Sequence, residues 1–161
     1  MSNSVYNSVF EQIKSDISTT NTSVLEGLHW ICSLLKKNMP AYDWVGFYFA
    51  NAETQTLHLK AFSGAPTEHT VIPFGKGICG QVALSNQNFI VPDVSQQDNY
   101  IACSVDVRSE IVVPLFLNGK NIGQIDIDSH LPNPFTEQDS QLLESICKWV
   151  AITYGNTLLE I

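Results

Sequence analysis

Two kinds of reactive side chain converge in residues 101–129, IACSVDVRSEIVVPLFLNGKNIGQIDIDS: one thiol, Cys103, and three carboxylates, Glu110, Asp126 and Asp128. Asn118-Gly119 is the strongest short-range hairpin signal, so a strand over 110–117 turns back into a strand over 121–128. Asp126 and Asp128 are two apart on the return strand and share a face. Antiparallel pairing across the turn brings Glu110 beside them, and Cys103 precedes Glu110 by a short loop. Asp-Ile-Asp alone reads as a solvated face. The convergence of Glu110 on the same place changes that balance, because ionised carboxylates held together repel one another, and a cluster that bears this cost is a candidate for chemistry. A thiolate supplies a nucleophile, and crowded carboxylates supply an acid that keeps its proton at neutral pH.

A second thiol stands in residues 75–80, GKGICG, where Gly75, Gly77 and Gly80 spell GxGxxG. A dinucleotide site needs that pattern at the first strand-to-helix turn of a βαβ unit. Here it lies mid-chain behind a proline-bearing strand and is followed by an antiparallel hairpin, and no GK[ST] ending makes it a P-loop. It reads instead as a tight turn placing Cys79 at a helix N-terminus, where the helix dipole favours a thiolate. Cys32 in LHWICSLL and Cys147 in LLESICKWVA fall in apolar helical patterns and read as small buried hydrophobes. There is no CxxC pair and no zinc-like spacing.

The elements that position these residues follow from periodicity. Helices are expected over 5–16 and 23–38, the second with Leu25, Leu28, Ile31, Leu34 and Leu35 at helical spacing and Ser23 as N-cap. Strands are expected over 43–50, 56–62, 70–74 and 89–94, and a short helix over 79–85. In the first strand Val45, Phe47 and Phe49 mark one face and Trp44, Gly46 and Tyr48 the other. His58 reads as an ordinary surface or satisfied histidine. A helix over 135–159 closes the chain, N-capped by Thr136 with Asp139 completing a capping box. Tight turns between strands argue for an antiparallel sheet with helices gathered on one side, an α+β fold.

With 161 residues the chain is expected to be one domain. Within it, 1–40 hold the N-terminal helices, 43–130 the sheet and pocket, and 135–161 the C-terminal helix. A net charge of −8 argues against nucleic-acid and anionic-membrane partners. The N-terminus lacks the basic-then-apolar pattern of a signal peptide, and no stretch approaches a membrane span. A cytoplasmic location, with the four cysteines reduced at rest, is the expectation.

Five motifs in register, WVGFY at 44–48, IPFGKGICG at 72–80, IACS at 101–104, SEIVVP at 109–114 and IGQIDIDS at 122–129, resemble the free methionine-(R)-sulfoxide reductases, stand-alone GAF-domain enzymes. The resemblance implies a GAF fold: a central antiparallel sheet of about six strands, N- and C-terminal helices on one face, a ligand pocket on the other, and a homodimer formed through the helices. It places the catalytic cysteine at Cys103, the GxCG cysteine at Cys79, the acidic pocket residues at Glu110, Asp126 and Asp128, and the aromatic pocket residues at Trp44 and Tyr48. A third family cysteine is replaced here by His69. The implied reaction reduces free methionine sulfoxide. Cys103 becomes a sulfenic acid and Cys79 then forms a disulfide with it. An external dithiol such as thioredoxin restores both thiols, with no cofactor and no metal. The competing reading is a GAF sensing module that binds a small molecule without turning it over.

Overall fold

The computed structural model describes residues 3–97 and 106–161. Among these, the chain runs α1 (Asn3–Thr19), α2 (Val24–Asn38), β1 (Trp44–Asn51), β2 (Thr56–Ser63), β3 (Val71–Pro73), α3 (Gly77–Ser85), β4 (Phe89–Val91), β5 (Ser109–Leu117), β6 (Lys120–Ser129) and α4 (Glu137–Tyr154). One six-stranded sheet has the order β3-β2-β1-β6-β5-β4, with every neighbouring pair antiparallel. The α+β class and the antiparallel sheet are as the sequence implies.

Several boundaries differ from expectation, α1 among them, which runs Asn3–Thr19 where 5–16 is expected. Helix α3 begins at Gly77, not Cys79, so Cys79 sits inside its first turn. Strand β4 stops at Val91, where Pro92 follows and a 3₁₀ turn starts at Val94. Helix α4 ends at Tyr154, and Gly155 (φ 53°) starts a 3₁₀ segment that carries the chain to Leu159. Pro114 is tolerated mid-strand because β4 pairs with β5 only as far as Val112, so no neighbour on that side needs the missing N–H.

The sheet divides two cores. On one side α1, α2 and α4 bury Ile13, Leu28, Ile31, Leu35, Leu143 and Val150 against Val45, Phe47, Ile125 and Ile127. On the other, α3 covers Trp44, Tyr48, Ile78, Cys79 and Val112. The alternation along β1 therefore sorts as the sequence indicates. The helix side is closed by Asp139, buried at the start of α4. It accepts hydrogen bonds from Tyr42 Oη at 2.6 Å, Tyr6 Oη at 3.3 Å and the Thr136 backbone N–H at 2.8 Å. One capping carboxylate thus ties α1, the approach to β1 and α4 together.

Hydrogen bonds to a charged group contribute about 1.5–3 kcal/mol each, and a helix cap about 1 kcal/mol. Asp139→Ala should therefore lower unfolding free energy by about 3 kcal/mol, and Tyr42→Phe by about 1.5 kcal/mol. Urea denaturation should show lower midpoints at unchanged m-value. Loss of less than about 0.5 kcal/mol in both would mean that α1 is held by apolar packing alone.

Candidate functional site

The β5–β6 hairpin sets the site. Its turn, Asn118-Gly119, has both residues at positive φ (54° and 79°), the type I′ geometry that matches strand twist. That turn pairs Leu117 with Lys120 and Phe116 with Asn121, and a one-residue shift between Leu115 and Phe116 then places Glu110 opposite Asp128 and Val112 opposite Asp126. Strand β1 lies on the other side of β6 and pairs Trp44 with Asp128, Gly46 with Asp126 and Tyr48 with Gln124. The three carboxylates and the two aromatics therefore meet on one sheet face. A Cβ at Gly46 would stand 2.3 Å from Trp44 Cη2, so only glycine lets the indole lie across the strand. The rings of Trp44 and Tyr48 are 6.4 Å apart, and each is held by its polar end: Trp44 Nε1 donates to the Ala65 carbonyl at 3.0 Å and Tyr48 Oη to the His69 carbonyl at 2.8 Å.

Helix α3 lays Cys79 over this face. Its Sγ donates to Glu110 Oε2 at 3.8 Å, and the donor atoms of Cys79, Glu110 and Asp126 all lie within 4.8 Å of one another. Glu110, Asp126 and Asp128 are buried. Burial, and after it the charges of Asp126 and Asp128, push Glu110 well above the usual carboxylate range. Burial also raises Asp126, while its neighbours Glu110 and Cys79 act in the lowering direction. Of this pair Glu110 is raised the further, so it is the member that holds a proton longer as pH rises, and when protonated it gives its hydrogen bond to Asp126.

The expected residues divide between two spaces. Tyr48, Cys79, Glu110 and Asp126 line a cavity of about 10 Å³ together with His69 and Lys76. Trp44 and Asp128 line a neighbouring cleft of about 490 Å³, bordered by Lys36, Asp43 and Asp106 and of a size that suits a small molecule. Cys103 lies outside the described residues. Cys79, expected in a polar Gly-rich setting, is instead buried among Ile78, Val82 and Val112. Cys32 and Cys147 are buried in the helix-side core, as their patterns imply, and burial pushes both thiols far up. His58 is satisfied by Thr56 Oγ1 at 2.9 Å.

One site residue escaped the sequence reading. Gln124, wholly buried, donates from Nε2 to the Cys79 carbonyl at 3.1 Å and so holds the first turn of α3 against β6. Its signal was available: Gln124, Asp126 and Asp128 are successive residues of one strand face.

The GAF domain family matches residues 26–153. The free methionine-R-sulfoxide reductase of Saccharomyces cerevisiae is 35% identical over 153 residues, covering 87% of this chain and 84% of the yeast protein. That of Escherichia coli is 38% identical over 125 residues, covering 78% and 74%. The chain belongs to the free methionine-R-sulfoxide reductases, a family of GAF domains. The structure of the Neisseria meningitidis free methionine-R-sulfoxide reductase, solved in complex with its substrate, superposes with a TM-score of 0.89. It is 34% identical and covers all of this chain and 96% of the other. The GAF fold implied by the five motifs is thus the fold observed. No helix among the described residues is long and apolar enough to cross a membrane.

The raised affinity of Glu110 for its proton has a consequence for folding. Between the unfolded and the higher folded pKa, the folded chain binds more protons than the unfolded one, so stability falls as pH rises through that window. Glu110→Gln removes this loss. In denaturant titrations from acid to neutral pH, the variant should gain on the parent as pH increases. A difference that is constant with pH would contradict a buried, protonated Glu110.

Proposed function

We propose that this chain reduces free methionine-(R)-sulfoxide to methionine, with Cys103 as nucleophile, Glu110 as the acid and Cys79 as the resolving thiol. The observation that carries the reading is the buried Glu110–Asp126 pair, raised by burial above the usual carboxylate range and set beside a thiol, in a chain of this family. The cleft lined by Trp44 and Asp128 would take the amino acid. Trp44 from the cleft and Tyr48 from the smaller cavity enclose the methyl and thioether groups, and Asp128 and Asp126, split between the same two spaces, hold the ammonium. The sulfinyl group is then directed at the acid cluster.

The chemistry balances without an external catalyst. The Cys103 thiolate attacks the sulfinyl sulfur while Glu110 protonates its oxygen. The oxygen passes to Cys103 as a sulfenic acid, and methionine leaves as the thioether. Condensation with the Cys79 thiol forms the disulfide and expels water. A dithiol such as thioredoxin then takes up the oxidation as its own disulfide. Burial of Cys32 and Cys147 on the far side of the sheet favours Cys79 in the resolving role, and His69 has no thiol to offer. No cofactor is required. The family resemblance favours turnover over a sensing module that only binds. We extend the proposal to a homodimer, for which the exposed Leu25, Trp30 and Ile152 of α2 and α4 provide apolar surface, and to a reducing, cytoplasmic compartment.

The deciding assay follows loss of the free R and S sulfoxides with a thioredoxin system. The parent should consume the R isomer alone, and Cys103→Ser should abolish turnover. Glu110→Gln should slow it by about 10²–10⁴-fold, the usual contribution of a general acid. Cys79→Ser should stall after one turnover with thioredoxin and recover in part with dithiothreitol. Mass spectrometry of the parent after one equivalent of sulfoxide should find the Cys79–Cys103 disulfide. Near-parent activity of Cys103→Ser, or Cys103 linked to Cys32 or Cys147, would refute these assignments.

A further inference from the structure

We infer that Gln124 is the positioning residue of the resolving thiol: its amide sets where Cys79 stands over the sheet. Helix α3 starts without a side-chain cap, because Lys76 occupies the N-cap position and makes no capping hydrogen bond. Gly75 and Gly77, on either side of it, both have positive φ (88° and 63°), a conformation that glycine enters and leaves at little steric cost. Gly75 N–H donates to the Gly80 carbonyl at 2.8 Å, a bond that ties this loop and turn to each other and not to the sheet. Gln124 supplies the tie to β6. Wholly buried, it donates from Nε2 to the carbonyl of Cys79 itself, the residue whose Sγ stands 3.8 Å from Glu110 Oε2. A second observation shows what the amide adds. Gln124 Oε1 is buried with no hydrogen-bond partner among the described residues, and an unpaired buried acceptor lowers stability. An apolar side chain of the same size would carry no such penalty. What glutamine has over it is the bond from Nε2. The far end of α3 has its own tie, from Asn121 Nδ2 to Asn86 Oδ1 at 3.0 Å, so loss of the Gln124 bond frees the first turn and leaves the last one docked.

The role in turnover rests on the reductase reading, in which Cys79 closes the disulfide. In that step Cys79 Sγ attacks the sulfenic sulfur of Cys103. The S–S bond forms, the S–O bond breaks, and the Cys79 proton leaves with the hydroxyl as water. Its rate depends on where the attacking sulfur is held, and a misplacement of about 1 Å costs about 10²-fold. The earlier step, in which methionine is released, has Cys103 as nucleophile and Glu110 as acid, whereas the Gln124 amide bonds to Cys79. Loss of that bond therefore falls on disulfide closure more than on reduction of the sulfoxide.

Two variants and two measurements test this. Gln124→Met keeps the length of the side chain and removes the amide. Gln124→Glu keeps the shape, and its carboxyl, held protonated by burial, still donates to the Cys79 carbonyl. The first measurement needs no substrate: reduced protein is alkylated with iodoacetamide and each cysteine is followed by mass spectrometry. A buried hydrogen bond is worth up to about tenfold in a local opening equilibrium, so Gln124→Met should raise the Cys79 rate by about tenfold. Cys32 and Cys147, in the helix-side core, report general loosening and should keep their parent rates. An unchanged Cys79 rate, or an equal rise at all three thiols, overturns the anchor. The second measurement follows methionine release and Cys79–Cys103 disulfide closure separately, by rapid quench after one equivalent of sulfoxide. Gln124→Met should slow closure about 10–10²-fold more than it slows release, and Gln124→Glu should restore closure. Equal slowing of both steps, or no recovery in Gln124→Glu, overturns the positioning role. A parent that releases no methionine refutes the reductase reading, and with it any role in resolution, while the alkylation result still decides the anchor.

Discussion

Much of this molecule depends on one electrostatic constraint: Glu110 and Asp126 are buried side by side with Asp128 on the same strand face, and they cannot all be ionised. Removing a carboxylate from water without a partner costs several kcal/mol, and the cheaper course is to keep a proton. Glu110 is raised the further, because it answers to two neighbouring carboxylates as well as to burial, whereas Glu110 and Cys79 both act to lower Asp126. The proton is thus localised by the asymmetry of the surroundings and not by any property of glutamate. It is held in the protein interior, next to a thiol, at a pH where a free carboxylic acid would have lost it.

Holding that arrangement requires the register of β5 against β6. A slip of one residue would turn Glu110, Asp126 and Asp128 into the helix-side core and carry Ile111, Ile125 and Ile127 to the pocket. Two devices guard against it. The Asn118-Gly119 turn specifies the pairing at one end, and the apolar residues that alternate with the acids are wholly buried under α2 and α4. The helix-side core therefore stabilises the fold and also holds the acids in place from behind. Asp139 extends the same logic, since its bonds to Tyr6 and Tyr42 tie α1 and the approach to β1 to the start of α4. Helix α3, on the other face, is bound to β6 through side chains: Gln124 to the Cys79 carbonyl, and Asn121 to the Asn86 side chain at 3.0 Å.

Most of the fold is legible in the sequence because its signals are local. The Asn-Gly turn, the alternation in β1 and β6, the Ser23 cap and the Thr136–Asp139 capping box each act within a few residues, and each is found where its spacing puts it. Convergence of Glu110 on Asp126 and Asp128 is legible because a hairpin brings the two strands together, although the one-residue shift between Leu115 and Phe116 that sets Glu110 opposite Asp128 has no such local signal. What was misread depends on long-range packing. GxGxxG around Cys79 suggests a polar turn, but whether α3 faces solvent or sheet is decided by what it packs against, and Ile78 and Val82 draw the first turn inward. The role of Gln124 depends on where the Cys79 carbonyl lies, 45 residues away in sequence. The early end of α4 follows from Gly155 taking a positive φ, a choice that an amphipathic pattern running past it does not reveal.

Stability and chemistry pull in opposite directions at Glu110. Elsewhere the chain obeys the rules that make a sequence specify one structure, with capped helices, a matched turn and apolar residues inside. At the base of the hairpin it breaks them by burying carboxylates where isosteric amides would fold with less penalty. The cost is confined to the pocket face, whose smaller core leaves the site adjustable, while the larger helix-side core carries most of the apolar burial. Such a division lets a strained acid persist, because the surrounding sheet over-determines its position.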